Sequence, residues 1–230
     1  MRNVKVGRLI AAVIILVGAV LLIAAVFTPW YTEQFSGNGI TVTQNAYLGV
    51  PSSNGTIQYT CSGLPAGASC LSETSYKTET ANNTGNLMEA VYFIAIAGII
   101  LGFIGAIIGL VSRKTGPAMA LAVVAMILAV AAVGVFAVAL PGAIGNDSPN
   151  HSGSGPWSSL FGSSSSGRFG IQGTLTWGPG VGWYLAIGAF VLLLVGVILV
   201  VLFRKDPPAP VPAANPAPSA MPSASPPPAS

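Results

Sequence analysis

Four long apolar segments dominate the pattern of hydrophobic and polar positions along the chain. They cover residues 9–27, 88–111, 118–140 and 182–203, and their one charged residue is Glu89, at the start of the second. A helix of about 20 apolar residues crosses the roughly 30 Å hydrocarbon core of a bilayer. Because a helix satisfies its own backbone hydrogen bonds in lipid, we predict four transmembrane helices with these bounds.

The first apolar segment could instead belong to a signal peptide, since basic residues precede it. Its length exceeds that of a signal-peptide core, and no small-x-small cleavage motif follows it. We therefore expect residues 1–27 to be retained, with 9–27 as the first span.

Two long polar segments, residues 28–87 and 141–181, separate the spans. The first alternates polar and β-branched residues, which predicts short strands at 40–43, at 56–60 and around 71–78. Glycine, proline and asparagine predict the turns between them, at residues 37–39, 52–55 and 64–67.

The second polar segment divides into two parts. Residues 152–167 are mostly Ser and Gly, so we expect them to be flexible. Residues 168–177 alternate again and predict a strand that leads into the fourth span. The fold class is therefore a four-helix membrane bundle with a small antiparallel sheet.

Composition and charge support a membrane protein and give its orientation. Only 7% of the residues are charged, against about 25% in soluble proteins. Seven of the nine basic residues lie in 1–8, 112–117 or 204–230. By the positive-inside rule, both termini and the short turn are cytoplasmic, and both long segments are extracellular. We expect a multi-pass protein of the plasma membrane, with a disordered, proline-rich tail at 204–230.

The two cysteines, Cys61 and Cys70, lie in the first extracellular segment. Outside the cytoplasm, we predict that they form a disulfide. A redox-active pair is the alternative, but the close Cys-x-x-Cys spacing of such pairs is missing. Two thiols and one histidine, His151, do not make a zinc site, and we predict no metal or cofactor.

Small residues recur at helical spacing in the second and third spans. Gly98, Gly102, Gly105 and Gly109 fall at i, i+4, i+7 and i+11 and therefore share one helix face. Alanines follow the same spacing in the third span, at positions 118, 122, 125, 129 and 132. We predict that these faces pack together closely.

Four Asn-x-Ser/Thr sequons provide possible glycosylation sites in the extracellular segments. They begin at Asn54, Asn82, Asn146 and Asn150. Their use depends on the host cell.

The first extracellular segment resembles that of the claudin and peripheral myelin protein superfamily. That family has four spans, cytoplasmic termini and a W…GLW…C…C signature in its first outer loop. Here Trp30, Gly49, Cys61 and Cys70 match the signature. The resemblance implies one extracellular sheet built from residues 30–70 and 169–177, with Trp30 at its base and 152–167 projecting away from it.

The match is to a divergent relative of the family. Val50-Pro51 stands where the family has Leu-Trp, and the gap to Cys61 is longer. The Ser/Gly insertion at 152–167 and the absence of a C-terminal Tyr-Val are further departures.

The predicted function is structural. The spans contain no acid–base pair, nucleophile with a base or mid-membrane ionisable group, so we predict neither an enzyme nor a transporter. We expect a structural, adhesion or cell-contact role through the extracellular loops. The alternatives are an accessory subunit of another membrane protein and an oligomeric ion pore lined by Glu33, Glu73 and Glu79. The expected partners are membrane lipid and other membrane proteins or a second copy, and not nucleic acid.

Overall fold

The computed structural model describes residues 2–48, 56–64, 70, 73–111, 115–148, 155–168 and 171–203. Its helices are α1 (Arg2–Val26), α2 (Asn82–Val111), α3 (Thr115–Asp147) and α4 (Val181–Leu202). Its strands are β1 (Tyr31–Gly37), β2 (Ile40–Ala46), β3 (Thr56–Ser62), β4 (Glu73–Ser75), β5 (Gly162–Arg168) and β6 (Ile171–Pro179). Several of the predicted features lie outside the described residues. They are Gly49, the sequons at Asn54 and Asn150, the turn at 52–55, most of the turn at 64–67, and the tail at 204–230.

All four helices are long and apolar enough to cross a membrane. The exposed positions on them are themselves largely Val, Ile and Leu, as expected for contact with lipid tails. These features indicate a multi-pass membrane protein with four helices able to span the bilayer. Each of α1 and α3 packs against both α2 and α4, so the helices form a closed four-membered bundle.

The third helix is longer than the sequence pattern predicts. The span was expected to end at Leu140 and the second loop to begin at Pro141, but α3 continues through Pro141 to Asp147. Proline is tolerated within a bundled membrane helix because neighbouring groups satisfy the carbonyl that it leaves without a donor. Likewise α2 begins at Asn82, six residues before the predicted span.

The six strands form one antiparallel sheet in the order β4-β3-β2-β1-β6-β5. Pairing of β1 with β6 joins the two polar segments, with Phe35 opposite Leu175. A single sheet built from both segments is therefore confirmed. The sheet lies at the end of the bundle where α1 and α3 end and α2 and α4 begin, which we call the sheet end.

Hairpin geometry accounts for one of the predicted turns. Asn38 and Gly39 have φ angles of 49° and 78° and connect β1 directly to β2. Positive φ at both central residues is typical of the tight hairpin turns that match the twist of a sheet. Of the third predicted strand, residues 73–78 are described, and Glu73–Ser75 of these form β4.

The Ser/Gly stretch at 152–167 was predicted to be flexible and to project away from the sheet, and this is wrong for its second half. Residues Gly162–Arg168 form the edge strand β5, paired along its length with β6. A Cβ atom at Gly162 would lie 2.6 Å from Cζ2 of Trp177, so the indole packs directly on the β5 backbone. Hydrogen bonding to β6 and the packing of Trp177 thus hold this Ser/Gly segment as a strand, although its residues have low intrinsic strand propensity.

The predicted small-residue face of α2 is confirmed as a packing surface. Cβ atoms built at Gly98 and Gly105 would lie 3.4 Å and 3.2 Å from the Cβ atoms of Leu128 and Leu121 on α3. The same face also meets α1, because a Cβ atom at Gly102 would lie 3.3 Å from that of Ala19, and one at Gly109 3.5 Å from that of Ala12. The five alanines of the matching α3 face are buried.

Candidate functional site

The sheet has two different faces. Along β1 the buried side chains are Tyr31, Glu33 and Phe35, which point toward the bundle. The intervening residues are more exposed and point away from it. We call the side turned away from the helices the distal face.

Strand register arranges the distal face as three rows of side chains. Directly paired residues in an antiparallel sheet share a face. The first row is Glu73, Gln58, Asn45, Thr32 and Gly178; the second is Thr60, Thr43, Gln34, Thr176 and Ser163; the third is Ser62, Thr41, Ser36, Thr174 and Ser165. Within these described rows, Glu73 on the edge strand β4 is the one charged residue.

Hydrogen bonds within two of these rows link neighbouring strands. The Thr32 hydroxyl donates to Oδ1 of Asn45 at 3.0 Å, and the Thr176 hydroxyl donates to the Gln34 carbonyl at 3.3 Å. Such groups both donate and accept hydrogen bonds. The distal face is therefore an almost uncharged surface of hydrogen-bonding groups.

Trp30 connects this sheet to the bundle. It is 0% exposed, and its indole Nε1 donates to the carbonyl of Ala25 at 2.7 Å. Its backbone N–H donates to the Ala46 carbonyl, and its own carbonyl accepts from the N–H of Gly180, both at 2.8 Å. Its ring meets Phe136 edge-on with centroids 5.3 Å apart. Trp30 therefore packs at the base of the sheet, as expected.

Glycine at the start of α4 makes room for this indole. A Cβ atom at Gly182 would lie 2.6 Å from Cδ1 of Trp30 and 2.7 Å from the carbonyl oxygen of Ala25. The Gly182 N–H donates to the Pro29 carbonyl at 2.8 Å. Close approach of two backbones thus positions the sheet over α1 and α4.

The predicted disulfide is present. Cys61 on β3 is bonded to Cys70, with their Cα atoms 5.9 Å apart. A link that closes a loop of this size stabilises the folded state by roughly 2–3 kcal/mol. It links β3 to Cys70, three residues before the short edge strand β4 begins at Glu73.

Asp147, at the end of α3, is a structural residue that the sequence analysis missed. Its Oδ1 accepts from the backbone N–H and side-chain amide of Asn83, at 2.9 and 2.8 Å. Its Oδ2 accepts from the backbone N–H and hydroxyl of Thr84, at 2.8 and 2.7 Å. The carboxylate of one helix thus caps the N-terminus of another, where it also meets the positive end of the helix dipole.

Asp147→Ala is expected to lower the free energy of unfolding by about 1–3 kcal/mol, because it leaves the N–H groups of Asn83 and Thr84 without their acceptor. Asp147→Asn should lose less, since its amide oxygen can still accept. Thermal unfolding of the purified protein in detergent measures both. Equal melting temperatures for wild type and Asp147→Ala would contradict the capping role.

Two predicted sequons lie at this same junction. Asn82 and Asn146 are exposed at the adjoining ends of α2 and α3. The hydroxyl of Thr84, the third residue of the first sequon, donates to Asp147. Glycosylation at either site remains a prediction.

The acidic residues suggested for a pore occupy different environments. Glu33 is 8% exposed on the inner face of the sheet and lines a cavity together with Glu79. Glu73 is exposed on the distal face. In the described part of the chain, no group of three or more His, Cys, Asp or Glu side chains could hold a metal ion.

Comparison with known proteins gives no assignment. No protein-family model matches the chain, and no curated protein matches its sequence. The claudin-like interpretation therefore depends on the chain's own residues, of which Trp30, Cys61 and Cys70 are described.

Proposed function

We propose that the chain is a claudin-like structural protein of the plasma membrane that makes contacts through the distal face of its sheet, with a second copy in an apposed membrane. The observation that carries this proposal is the nearly uncharged, hydroxyl- and amide-rich character of that face. The sheet lies outside the cell in this proposal, with both termini in the cytoplasm.

Charge distribution and cysteine chemistry support the orientation. Seven of the nine basic residues lie in 1–8, 112–117 and 204–230, that is, at the start of α1, between α2 and α3 and after α4. By the positive-inside rule these segments are cytoplasmic, and the sheet is on the other side of the membrane. The disulfide on β3 belongs to the sheet end, and disulfides persist in oxidising compartments outside the cytoplasm.

Contact between identical faces requires self-complementarity. A two-fold interface brings each patch against its own copy, so a charged face would meet like charges. Hydroxyl and amide groups avoid this, because each can donate to or accept from its counterpart. A standard protein–protein interface uses about 20–30 residues from each partner, and the distal face has fewer. A single contact is therefore weak, and many copies in each membrane provide avidity.

Introducing positive charge into the face is expected to abolish contact. Thr41 and Thr43 lie in neighbouring rows beside Ser36 and Gln34, and the double change Thr41→Lys and Thr43→Lys would place like charges opposite each other. Clustering of two populations of proteoliposomes, followed by light scattering, measures the effect. Thr80→Lys is the matched control, since Thr80 is exposed in the turn between β4 and α2, away from the face.

A charge-reversed pair makes this test specific for contact between like faces. Vesicles with Lys at positions 41 and 43 should cluster with vesicles carrying Glu at the same positions, although neither clusters with itself. Absence of clustering by the wild type, or clustering unchanged by the lysines, would contradict the proposal. Stoichiometric recovery of another membrane protein in mild detergent would then favour the accessory-subunit alternative.

A further inference from the structure

The two edges of the six-stranded sheet differ in how they are protected. One edge is β4, a strand of three residues that begins with the exposed Glu73. The other edge is β5, which has seven residues, no proline and a single charge, on Arg168 at its last position. Proteins usually protect an edge from pairing with another strand by short length, charge, proline or a bulge. Residues 162–167 of β5 have none of these features, and their pairing with β6 is continuous.

The outer side of β5 is accessible. The described sheet ends at this strand, which packs on β6 and makes no extensive contact with the four helices. Its exposed residues are Gly162, Ser163, Ser165 and Gly167. Another strand can therefore approach the backbone of β5 from the side away from β6.

Strand register shows which backbone groups of β5 point outward. The Gly180 N–H donates to the Trp30 carbonyl, and the register continues this ladder along the even-numbered residues of β1 and β6. Backbone bonds alternate between the two neighbours along an antiparallel strand. The odd-numbered residues of β6 therefore bond to the even-numbered residues of β5. Ser163, Ser165 and Gly167 are left with their N–H and C=O groups directed to the open edge.

These three residues are spaced so that a second β5 strand fits against the first. In an antiparallel pair centred on Ser165, this residue lies opposite its own copy, and Ser163 lies opposite Gly167 of the second copy. All the outward-directed groups then meet each other, and each such pair of residues exchanges two hydrogen bonds. Serine and glycine are small, so their side chains leave room for the usual spacing of about 4.8 Å between strands.

Charge and symmetry favour a second copy as the partner. The pairing has a two-fold axis at Ser165, as contacts between identical patches require. Arg168 of each copy lies opposite Gly162 of the other, so the two arginines are six positions apart, about 20 Å. That distance exceeds the screening length of about 8 Å in physiological salt. The same operation on β4, centred on Thr74, would bring the two Glu73 residues within about 7 Å of each other.

We propose that two copies of the chain in one membrane pair through their β5 strands and form one continuous sheet. A two-fold axis perpendicular to the joined sheet keeps both inner faces on the same side. Both helix bundles therefore lie on that side, as two copies in one membrane require. The joined sheet carries two distal faces side by side, and the pairing does not depend on what those faces contact.

Cysteine cross-linking of the full chain in proteoliposomes tests the pairing. Ser165→Cys should give a disulfide-linked dimer under mild oxidation, because the paired Cα atoms would be about 5.5 Å apart, within the reach of a disulfide. Thr80→Cys, in the turn between β4 and α2, is the matched control and should remain monomeric. Absence of a dimer with Ser165→Cys would overturn the proposal.

Two further cysteine variants test the register. Ser163→Cys alone should not cross-link, since its two copies would lie four positions apart, about 13 Å. Adding Gly167→Cys to Ser163→Cys should restore the dimer, because these positions lie opposite each other in the proposed pair. Equal cross-linking by Ser163→Cys and Ser165→Cys would overturn the two-fold arrangement.

Ser165→Pro separates pairing from folding. Proline removes the outward N–H and places its ring at the edge, a position where a strand tolerates it, so the bonds between β5 and β6 should remain. Single-molecule photobleaching in liposomes should show mainly two steps for the wild type and one step for Ser165→Pro, with similar melting temperatures in detergent. Ser165→Thr keeps the N–H and should remain dimeric. A monomeric wild type, or a Ser165→Pro protein as dimeric as the wild type, would contradict the proposal.

Cross-linking in cell membranes identifies the partner strand. Ser165→Cys should be recovered as a dimer that contains only this chain, which mass spectrometry of the linked peptides determines. Recovery of Ser165→Cys linked only to a different protein would show that the added strand comes from that protein, and it would overturn the pairing of two copies.

Discussion

Trp30→Ala is expected to lower the free energy of unfolding by about 3–5 kcal/mol, the range for deleting a large buried aromatic side chain. The indole is fully buried, and its loss would leave a cavity beside Phe136 at the junction of the sheet and the bundle. The Ala25 carbonyl would also lose its 2.7 Å hydrogen bond. Chemical unfolding in detergent, with limited proteolysis of the sheet, measures the effect.

A conservative variant separates ring packing from hydrogen bonding at this position. Trp30→Phe keeps an aromatic ring near Phe136 and removes the Nε1 donor, so we expect it to be less destabilising than Trp30→Ala. Because the helices satisfy their own backbone bonds, helical circular dichroism should persist while the sheet becomes protease-sensitive. A loss below about 1 kcal/mol for Trp30→Ala, the value typical of an average substitution, would contradict this role.

The second large effect is expected from filling the small-residue face of α2. Gly102→Leu and Gly105→Leu should each lower the free energy of unfolding by about 1–3 kcal/mol through overpacking. At Gly105 the added Cβ atom alone would lie 3.3 Å from the Ala118 carbonyl oxygen, which belongs to the α3 backbone and cannot easily move. Melting temperature in detergent is the measurement.

Gly134→Leu is the matched control for these two variants. Gly134 lies on α3, and apart from the nearby backbone of α3 itself no described atom comes within 4 Å of a Cβ atom built there. The same substitution should therefore be neutral or slightly stabilising, because leucine favours a helix more than glycine does. Similar losses for Gly134→Leu and Gly105→Leu would show that helix packing is not the cause.

The features predicted correctly from the sequence are those that short-range patterns determine. An apolar run of membrane length predicts a span without reference to the rest of the fold. Glycines at positions 98, 102, 105 and 109 share a face because of helix geometry alone. Cys61 and Cys70 lie close enough in sequence, in one segment, for their pairing to be expected.

The features that were missed either depend on partners far away in the chain or interrupt the expected pattern. Gly162–Arg168 has the composition of a linker and becomes β5 only by pairing with β6. On β1, Glu33 occupies an inward position between Tyr31 and Phe35, so the expected alternation of apolar and polar residues is hidden. Asp147 is hydrogen-bonded to Thr84 and Asn83, which lie 63 and 64 residues away in sequence. A pattern of neighbouring residues cannot predict a contact at that separation.

The connections of the central strand pair determine how mechanical load would pass through the protein. β1 begins at Tyr31, shortly after α1 ends at Val26, and β6 ends at Pro179, just before α4 begins at Val181. These two strands pair with each other, and α1 and α4 are also packed together. Tension applied to these two central strands is therefore carried along two short, adjacent connections into one helix pair.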